Sequence, residues 1–167
     1  MLRELSATYQ RWFHDFDVLT TYATDGLRPL TRAVEGERYE RPSRRDHMSF
    51  TVYEKEAWRP IGLTNLYDVD RFNRTAQFGI VIGEKEFWGK GHGVEAMRLV
   101  LDYGFAGLGL NSILLAVFGF NEQAIGAYIQ AGFRAVGRWR EAHRFAGHSY
   151  DVIFMDCLAA DFQAAKG

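Results

Sequence analysis

The residues Phe87-Trp88-Gly89-Lys90-Gly91-His92-Gly93, here called the glycine segment, stand between a strand pattern and a helix pattern. Three glycines at alternate positions let backbone N–H groups converge without obstruction by side chains. The helix that follows directs its free N–H groups and the positive end of its dipole to the same place. The segment therefore predicts a site for an anion such as a pyrophosphate, although glycines at this spacing also occur in plain structural turns.

Two known phosphate motifs do not fit the glycine segment. A P-loop requires Gly, four residues and then Gly-Lys-Ser/Thr, but Glu84 occupies the first position and Gly91 follows Lys90. A dinucleotide fingerprint requires Gly-x-Gly-x-x-Gly in a parallel βαβ unit, whereas Gly89, Gly91 and Gly93 are evenly spaced after strands that look antiparallel. A phosphotransfer protein would also need a magnesium ligand after Lys90, which glycine cannot provide.

Three strand patterns precede the glycine segment. Apolar and polar residues alternate in them, and turn residues separate them. The predicted strands are Met48–Tyr53, residues 61–67 and Thr75–Ile82, with a turn over residues 68–74. Their short connections predict an antiparallel meander.

Beyond the glycine segment, the pattern predicts a helix, a strand, a second helix and two final strands. Val94, Met97 and Leu101 share one stripe at a period near 3.6, which indicates the first helix. Asn121 is a good N-cap for the second helix, and Gly132 suits the left-handed residue that ends it. The predicted strands are Ser112–Phe118, residues 133–139 and His148–Leu158. This order predicts an α/β layer structure with a mixed sheet.

The first third of the chain has poorer periodicity. Helices are predicted over residues 5–17 and 31–41, the second ending before Pro42. Four arginines cluster near the second helix. They can be interpreted as a solvated loop or helix end, or as contacts for an anionic ligand or a partner. They are Arg38, Arg41, Arg44 and Arg45.

Composition places the chain among ordinary globular proteins. Its 167 residues are the size of one domain, covering 1–167, with 47% apolar and 25% charged residues. The net charge of −1 gives no basic excess for binding a nucleic-acid backbone. The one cysteine, Cys157, and the five histidines show no metal-ligand spacing, so no metal site is predicted. No signal peptide is visible, and no apolar stretch approaches the ~18 residues that span a membrane, so a cytoplasmic protein is expected.

Three stretches of the sequence resemble the GNAT superfamily of N-acetyltransferases, in particular its ribosomal-protein N-terminal and spermidine acetyltransferases. They are residues 73–82, residues 88–97 running on to 102–105, and residues 121–133. The resemblance extends from about Leu2 to Met155, and the first strand that it implies would be short here, residues 2–5 at most. It implies a mixed, mostly antiparallel central sheet with helices on both faces. It also implies a splayed pair of parallel strands, Thr75–Ile82 and Ser112–Phe118, with coenzyme A in the V-shaped cleft between them.

The resemblance also assigns the residues that bind coenzyme A. Backbone groups of Ile80, Val81 and Ile82 would contact the pantetheine arm, and Asn121 would contact the coenzyme as well as cap its helix. Trp88 stands first in the family's Gln/Arg-x-x-Gly-x-Gly/Ala signature, and the substitution should not abolish pyrophosphate binding because the signature acts through backbone N–H groups. The signature comprises Trp88, Gly89, Lys90, Gly91, His92 and Gly93.

The resemblance implies an acetyl-CoA-dependent N-acetyltransferase in which a primary amine attacks the thioester directly. Tyr128 matches the family tyrosine that often protonates the departing thiolate, although helical periodicity alone would place this aromatic residue in the core. A phenol's ordinary pKa of about 10 keeps it protonated at neutral pH. No general base is assigned: Gln77 stands where many members have a glutamate. Asp68, Asp70 and Glu84 read as ordinary turn carboxylates.

The acceptor amine is left open by the sequence. The first two helices, the turn at residues 68–74 and the hairpin at 139–147 are expected to select it. Carboxylates in the helical region would suit a polyamine, and a protein N-terminus, an amino sugar or an aminoglycoside are alternatives. A non-catalytic acyl-CoA sensor is a further alternative. Members of the family are monomers or dimers that pair through the C-terminal strands, so the resemblance leaves both states open and a homodimer is the expectation by analogy.

Overall fold

The structure, a computed structural model, describes residues 2–22 and 46–165 of the chain. The helix predicted over residues 31–41 and the arginine cluster lie outside the described residues.

The described residues form a six-stranded sheet. The strands follow the order β1-β2-β3-β4-β6-β5 across the sheet. Every neighbouring pair is antiparallel except β3 and β4, which are parallel. The strands are β1 (Met48–Tyr53), β2 (Pro60–Asp70), β3 (Thr75–Ile82), β4 (Ser112–Phe118), β5 (Arg134–Phe145) and β6 (His148–Leu158). The predicted meander and mixed sheet are confirmed.

Five α-helices are described in the same residues. They are α1 (Leu2–His14), α2 (Phe16–Tyr22), α3 (His92–Asp102), α4 (Glu122–Ala131) and α5 (Ala159–Ala164). A 3-10 turn, Lys85–Phe87, precedes the glycine segment, and a π-helical turn, Tyr103–Gly107, extends α3. The sequence analysis did not predict α5.

The N-terminal predictions need two corrections. The short strand expected at residues 2–5 is wrong, because α1 begins at Leu2. The single helix expected over residues 5–17 is divided at Asp15, whose carboxylate accepts a hydrogen bond from the Asp17 backbone N–H at 3.0 Å. A side chain that satisfies a free N–H at a helix start ends one helix and begins the next.

Four strands have the predicted bounds, and two are longer. β2 covers residues 60–70 rather than 61–67, with an irregularity in its pairing between Tyr67 and Asp70. The turn predicted at residues 68–74 is therefore shorter. β5 covers residues 134–145 rather than 133–139, and its hairpin to β6 turns at Ala146 and Gly147, both at positive φ.

Helices cover both faces of the sheet. On β3, the side chains of Ala76 and Phe78 belong to the main buried cluster together with residues of α3 and α4, a side here called the α3 face. Val81 points the opposite way and packs with Trp12 and Val18 of α1 and α2, a side here called the α1 face. Successive strand residues alternate between faces, so each residue of β3 can be assigned to one side.

Candidate active site

The parallel strands β3 and β4 separate after a short paired stretch. Within the described residues they pair at Thr75–Ser112, Ala76–Ile113 and Gln77–Leu114. β4 continues to Phe118 paired with β6, and β3 continues to Ile82 paired with β2. A cleft therefore opens between residues 78–82 of β3 and 115–118 of β4, closed at Gln77 and open toward the glycine segment.

Backbone hydrogen bonds define which groups of β3 face the cleft. The Gly83 N–H donates to the Ile61 carbonyl on the β2 side at 2.9 Å. Backbone groups alternate in direction along a strand, so the N–H and C=O groups of Val81 also point toward β2. Phe78 and Ile80 then present their N–H and C=O groups to the cleft.

The same argument applies to β4. The Gly119 N–H donates to the Asp151 carbonyl on the β6 side at 2.8 Å. Val117 and Leu115 therefore bond to β6, and Ala116 turns its backbone groups toward the cleft. The cleft is thus an apolar slot with backbone donors and acceptors on both walls.

Trp88 closes the end of β3. Its indole Nε1–H donates to the Ile82 carbonyl at 2.6 Å, and its ring packs against the Trp12 cluster on the α1 face. Three residues were assigned to the pantetheine arm. The backbone groups of Ile80 face the cleft, those of Val81 face β2, and the Ile82 carbonyl already accepts from Trp88. The Trp88 side chain therefore holds the end of β3 in place.

The glycine segment forms an open turn before α3. Gly89 and Gly91 have φ of +71° and +86°, which favour glycine, and α3 begins at His92. A Cβ added to Gly91 would meet no described atom within 4 Å. The first N–H groups of a helix have no partner within the helix. These N–H groups and the open space beside Gly91 form the kind of helix start that can bind an anion.

A neighbouring lysine partly offsets the negative charge close to the glycine segment. The Glu95 carboxylate, in the first turn of α3, forms an ion pair with Lys55 that lowers the pKa of Glu95. This pairing offsets a negative charge that would otherwise oppose an anion. The Lys90 ammonium lies 5.8 Å from the Phe87 ring, and the His92 ring packs edge-on against the same ring at 5.1 Å.

The start of α4 joins the far wall of the cleft to the glycine segment. Asn121 caps the helix, since its Oδ1 accepts from the Ala124 N–H at 3.1 Å. The Asn121 N–H donates to the Phe118 carbonyl at the end of β4. Gln123 Nε2 lies 3.6 Å from the position of a Cβ on Gly89. Sequence reasoning missed Gln123, although it lies in the third family-like stretch.

Tyr128 lies on the α3 face, close to the closed end of the cleft. It is 9% exposed, and its ring stands edge-on to Phe133 at 5.8 Å. Phe133 in turn contacts Phe78, the first residue of β3 beyond the paired stretch, at 5.8 Å between ring centroids. Tyr128 therefore belongs to the aromatic packing beside the point where the strands part.

The three carboxylates considered as a base have different surroundings. Glu84 accepts from the Trp12 indole N–H at 2.9 Å and pairs with Arg11, so it anchors α1. Asp70 accepts from the N–H groups of its own turn, which lower the pKa of Asp70. Asp68 alone of the three contacts Gln77, accepting from its Nε2 at 2.9 Å.

An aromatic wall lies at the open end of the cleft. Phe118 stacks on His143 at 4.0 Å, and Phe120 stands edge-on to Tyr150 at 4.7 Å. Phe145, at the tip of the β5–β6 hairpin, lies 5.8 Å from Phe16 at the start of α2. The first helices and the hairpin, two of the regions expected to select the acceptor, therefore meet here.

Within residues 2–22 and 46–165, no group of three His, Cys, Asp or Glu side chains is placed to hold a metal ion. No described helix is both long and apolar enough to cross a bilayer.

Comparison with known proteins agrees with this geometry. The sequence model of the acetyltransferase (GNAT) domain matches residues 2–134. The chain is 40% identical over 94 residues to the spermidine N(1)-acetyltransferase of Escherichia coli (strain K12), which is 56% of this chain and 50% of that protein. It is 30% identical over 105 residues to a putative ribosomal N-acetyltransferase of Bacillus subtilis (strain 168), covering 63% of this chain and 57% of that protein.

A solved structure resembles the whole fold. The spermidine N-acetyltransferase of Vibrio cholerae in complex with CoA and spermine has a TM-score of 0.84 and 25% sequence identity, covering 94% of this chain and 91% of that chain. The curated relatives are matched over only about half to three fifths of their own length. The family match covers most of the chain, and this chain belongs to the GNAT acetyltransferase family.

Proposed function

We propose that the protein is an acetyl-CoA-dependent N-acetyltransferase that acts on a primary amine. The observation that carries this proposal is the cleft between β3 and β4, with the glycine segment at its open end. Four residue steps separate Phe78 from Ile82, about 13 Å along the strand. An extended coenzyme arm can therefore reach from the glycine segment to the closed end of the cleft.

The backbone supplies most of the binding to the coenzyme. The N–H groups at the start of α3, freed by the turn at Gly89 and Gly91, would bind the pyrophosphate. Ile80 and Ala116 offer backbone groups from the two walls to the amides of the pantetheine arm. Asn121, Gln123 and Lys90 stand beside this path, and Lys90 adds a positive charge.

The bound acetyl-CoA supplies the acetyl group as a thioester. A cleft-facing backbone N–H of Ile80 would stabilise negative charge on the thioester oxygen as the amine attacks. Tyr128, on the α3 face, would give a proton to the sulfur as it leaves, and the proton that the attacking nitrogen loses would pass through water and restore the phenol. Changing Tyr128→Phe should lower kcat while leaving the affinity for CoA unchanged, as measured by steady-state kinetics and calorimetry; an unchanged kcat would remove Tyr128 from the mechanism.

Transfer is proposed to be direct, in a complex of protein, acetyl-CoA and amine. The chain's one cysteine, Cys157, is 1% exposed, and burial raises the pKa of its thiol to about 11. A buried, protonated thiol is a poor nucleophile, so an acetylated-cysteine route has no support. The coenzyme would bind beside α3 and the acceptor would approach from the α1 face, so the two substrates would meet through the cleft.

We propose a small cationic amine, of the polyamine class, as the acceptor. The similarity to spermidine acetyltransferases supports this class. Aromatic faces attract ammonium groups, and the wall formed by Phe16, Phe118, Phe120, His143, Phe145 and Tyr150 offers several of them. We place the protein in the cytoplasm, where acetyl-CoA and polyamines are both available.

A homodimer is proposed through β5. This strand ends the sheet, is exposed over most of its length, and carries Val136 and Trp139 at 56% and 63% exposure. An exposed edge strand with apolar side chains favours pairing with another strand, and a second copy of the chain offers the same edge. Light scattering should give a molar mass of two chains for the wild type and of one chain for Trp139→Lys. A wild-type mass of one chain would refute the dimer.

The function is tested by following free thiol released from acetyl-CoA with a panel of amines. The panel comprises spermidine, peptides with free N-termini, an amino sugar and an aminoglycoside. Turnover with spermidine is the expected result. If CoA binds and no amine is acetylated, the non-catalytic acyl-CoA sensor replaces the enzyme. If CoA does not bind, the assignment of the cleft is wrong.

A further inference from the structure

We propose that Gln77 and Asp68 form a subsite for the ammonium group of the acceptor, on the α1 face at the closed end of the cleft. This inference rests on the proposed function and specifies where the amine is held. Gln77 would contact the amine, and Asp68 would orient Gln77 and contribute negative charge.

Gln77 occupies the position at which β3 and β4 part. It forms the last parallel pair, with Leu114, and the cleft begins at the next residue. Its side chain lies on the α1 face, because it alternates with Ala76 and Phe78, which lie on the α3 face. With the pyrophosphate at the open end, the acetyl group is expected at this closed end, next to the Gln77 amide.

The hydrogen bond to Asp68 fixes the orientation of that amide. Gln77 Nε2 lies 2.9 Å from Asp68 Oδ2. An ionised carboxylate only accepts hydrogen bonds, so the amide must turn its NH2 group toward Asp68. Its oxygen then points away from Asp68 and can accept from an ammonium N–H. A glutamine amide held in this way acts as a hydrogen-bond acceptor.

The backbone of β2 places Asp68 within reach of β3. Asp68 has φ of +50° and lies at the irregular stretch of pairing between Tyr67 and Asp70. Such a bulge redirects one side chain of a strand. Here the carboxylate of Asp68 is directed to Gln77, the neighbour of Tyr67 across the ladder.

Asn65 supplies a second amide on the same face. It pairs with Gly79, and a Cβ added to Gly79 would lie 2.9 Å from Asn65 Oδ1. The missing side chain lets the Asn65 amide lie over β3, two residues from Gln77 and so about 7 Å along the strand. The two amide oxygens can each accept from one N–H of an ammonium group, and the nearby carboxylate of Asp68 adds negative charge.

Asp70 provides a matched control, because it is a half-buried aspartate two residues from Asp68 with other partners. It accepts from the N–H groups of Phe72 and Asn73 at 2.9 and 2.8 Å and from Asn73 Nδ2 at 2.7 Å. Its charge is therefore bound within its own turn. A general loss of surface charge would affect both positions, whereas the proposed subsite depends on Asp68.

The test is steady-state kinetics with spermidine and acetyl-CoA varied separately. Asp68→Ala should raise the KM for spermidine about tenfold or more. Without Asp68 the Gln77 amide is free to turn, and its hydrogen bond to the charged ammonium group is lost. The KM for acetyl-CoA should not change. Asp68→Asn keeps an acceptor for Gln77 and should have a smaller effect, and Asp70→Ala should leave both KM values at the wild-type level.

Gln77→Met, which keeps the side-chain length and removes the amide, covers the case in which Asp68→Ala fails to fold. A wild-type spermidine KM in Asp68→Ala, or in Gln77→Met where Asp68→Ala does not fold, would overturn the subsite while the proposed function stands. If the wild type acetylates no amine, the proposed function fails, and calorimetry of spermidine binding to the CoA-bound protein decides the subsite. Binding lost in Asp68→Ala and kept in Asp70→Ala supports it; equal binding overturns it.

Discussion

Changing Gly91→Ala should separate the folding role of the glycine segment from its binding role. Gly91 has φ of +86°, and an added Cβ would meet no described atom within 4 Å. The stability cost is therefore the left-handed backbone alone, about 1–2 kcal/mol. For a chain of this size, 1 kcal/mol lowers the melting temperature by about 2–4 °C, so the expected loss is about 2–8 °C.

The effect on binding should be larger than the effect on folding. The new methyl group would project into the open space beside the first N–H groups of α3. Losing one hydrogen bond from these groups to a charged phosphate costs about 1.5–3 kcal/mol, which weakens CoA binding by about ten- to a hundredfold. Isothermal calorimetry with CoA measures the affinity, and differential scanning calorimetry measures the stability.

Gly109→Ala is the matched control. Gly109 also has a left-handed backbone, with φ of +69°, and an added Cβ would again meet no described atom within 4 Å. It precedes β4 at the closed end of the cleft, where its carbonyl accepts from Arg74 Nε. Both variants should lose similar stability, and Gly91→Ala alone should lose CoA affinity. Equal CoA affinities in the two variants would refute the placement of the pyrophosphate.

Four further predictions concern the packing of the sheet and its helices. A Cβ on Gly83 would lie 2.1 Å from the buried Trp12 ring, so Gly83→Ala should cost about 1–3 kcal/mol by overpacking, seen as a lower melting temperature; an unchanged value would contradict the packing of α1. Trp88→Phe removes the hydrogen bond to the Ile82 carbonyl and should cost about 1 kcal/mol in urea unfolding, which a wild-type midpoint would contradict. Cys157, with its thiol pKa near 11, should react with a disulfide reagent at pH 8 only as fast as the protein opens, whereas labelling at the denatured rate would contradict its burial. The unfolded chain loses the thiol proton first, so the free energy of unfolding should also fall as the pH rises from about 9 to about 11.

Much of the fold could be predicted where one physical cause controls the pattern. The bounds of β3 and β4 were correct, because apolar runs and flanking polar turns define buried strands. The cap at Asn121 and the left-handed end at Gly132 followed from local backbone chemistry. In contrast, β5 is exposed along most of its length, so hydrophobic patterning could not show where it ends.

The side-chain part of the site depends on contacts between distant residues. Trp88 lies on the α1 face because its indole N–H donates to the Ile82 carbonyl and its ring packs against the Trp12 cluster. The sequence showed only the place of Trp88 in a signature. Asp68 read as a turn residue because the irregular pairing of β2, which brings it to Gln77, leaves no mark in the alternation of residue types. Long-range contacts of this kind become visible only when the sheet is assembled.

The most direct test of the account follows isotope-labelled acetyl groups by mass spectrometry. The protein is incubated with labelled acetyl-CoA, first without and then with spermidine, and the masses of the protein and of the amine are measured. The account predicts an unmodified protein in both samples and labelled acetyl on the spermidine in the second. Label on the protein in the first sample would contradict direct transfer, and unlabelled spermidine in the second would contradict the proposed acetylation of polyamines.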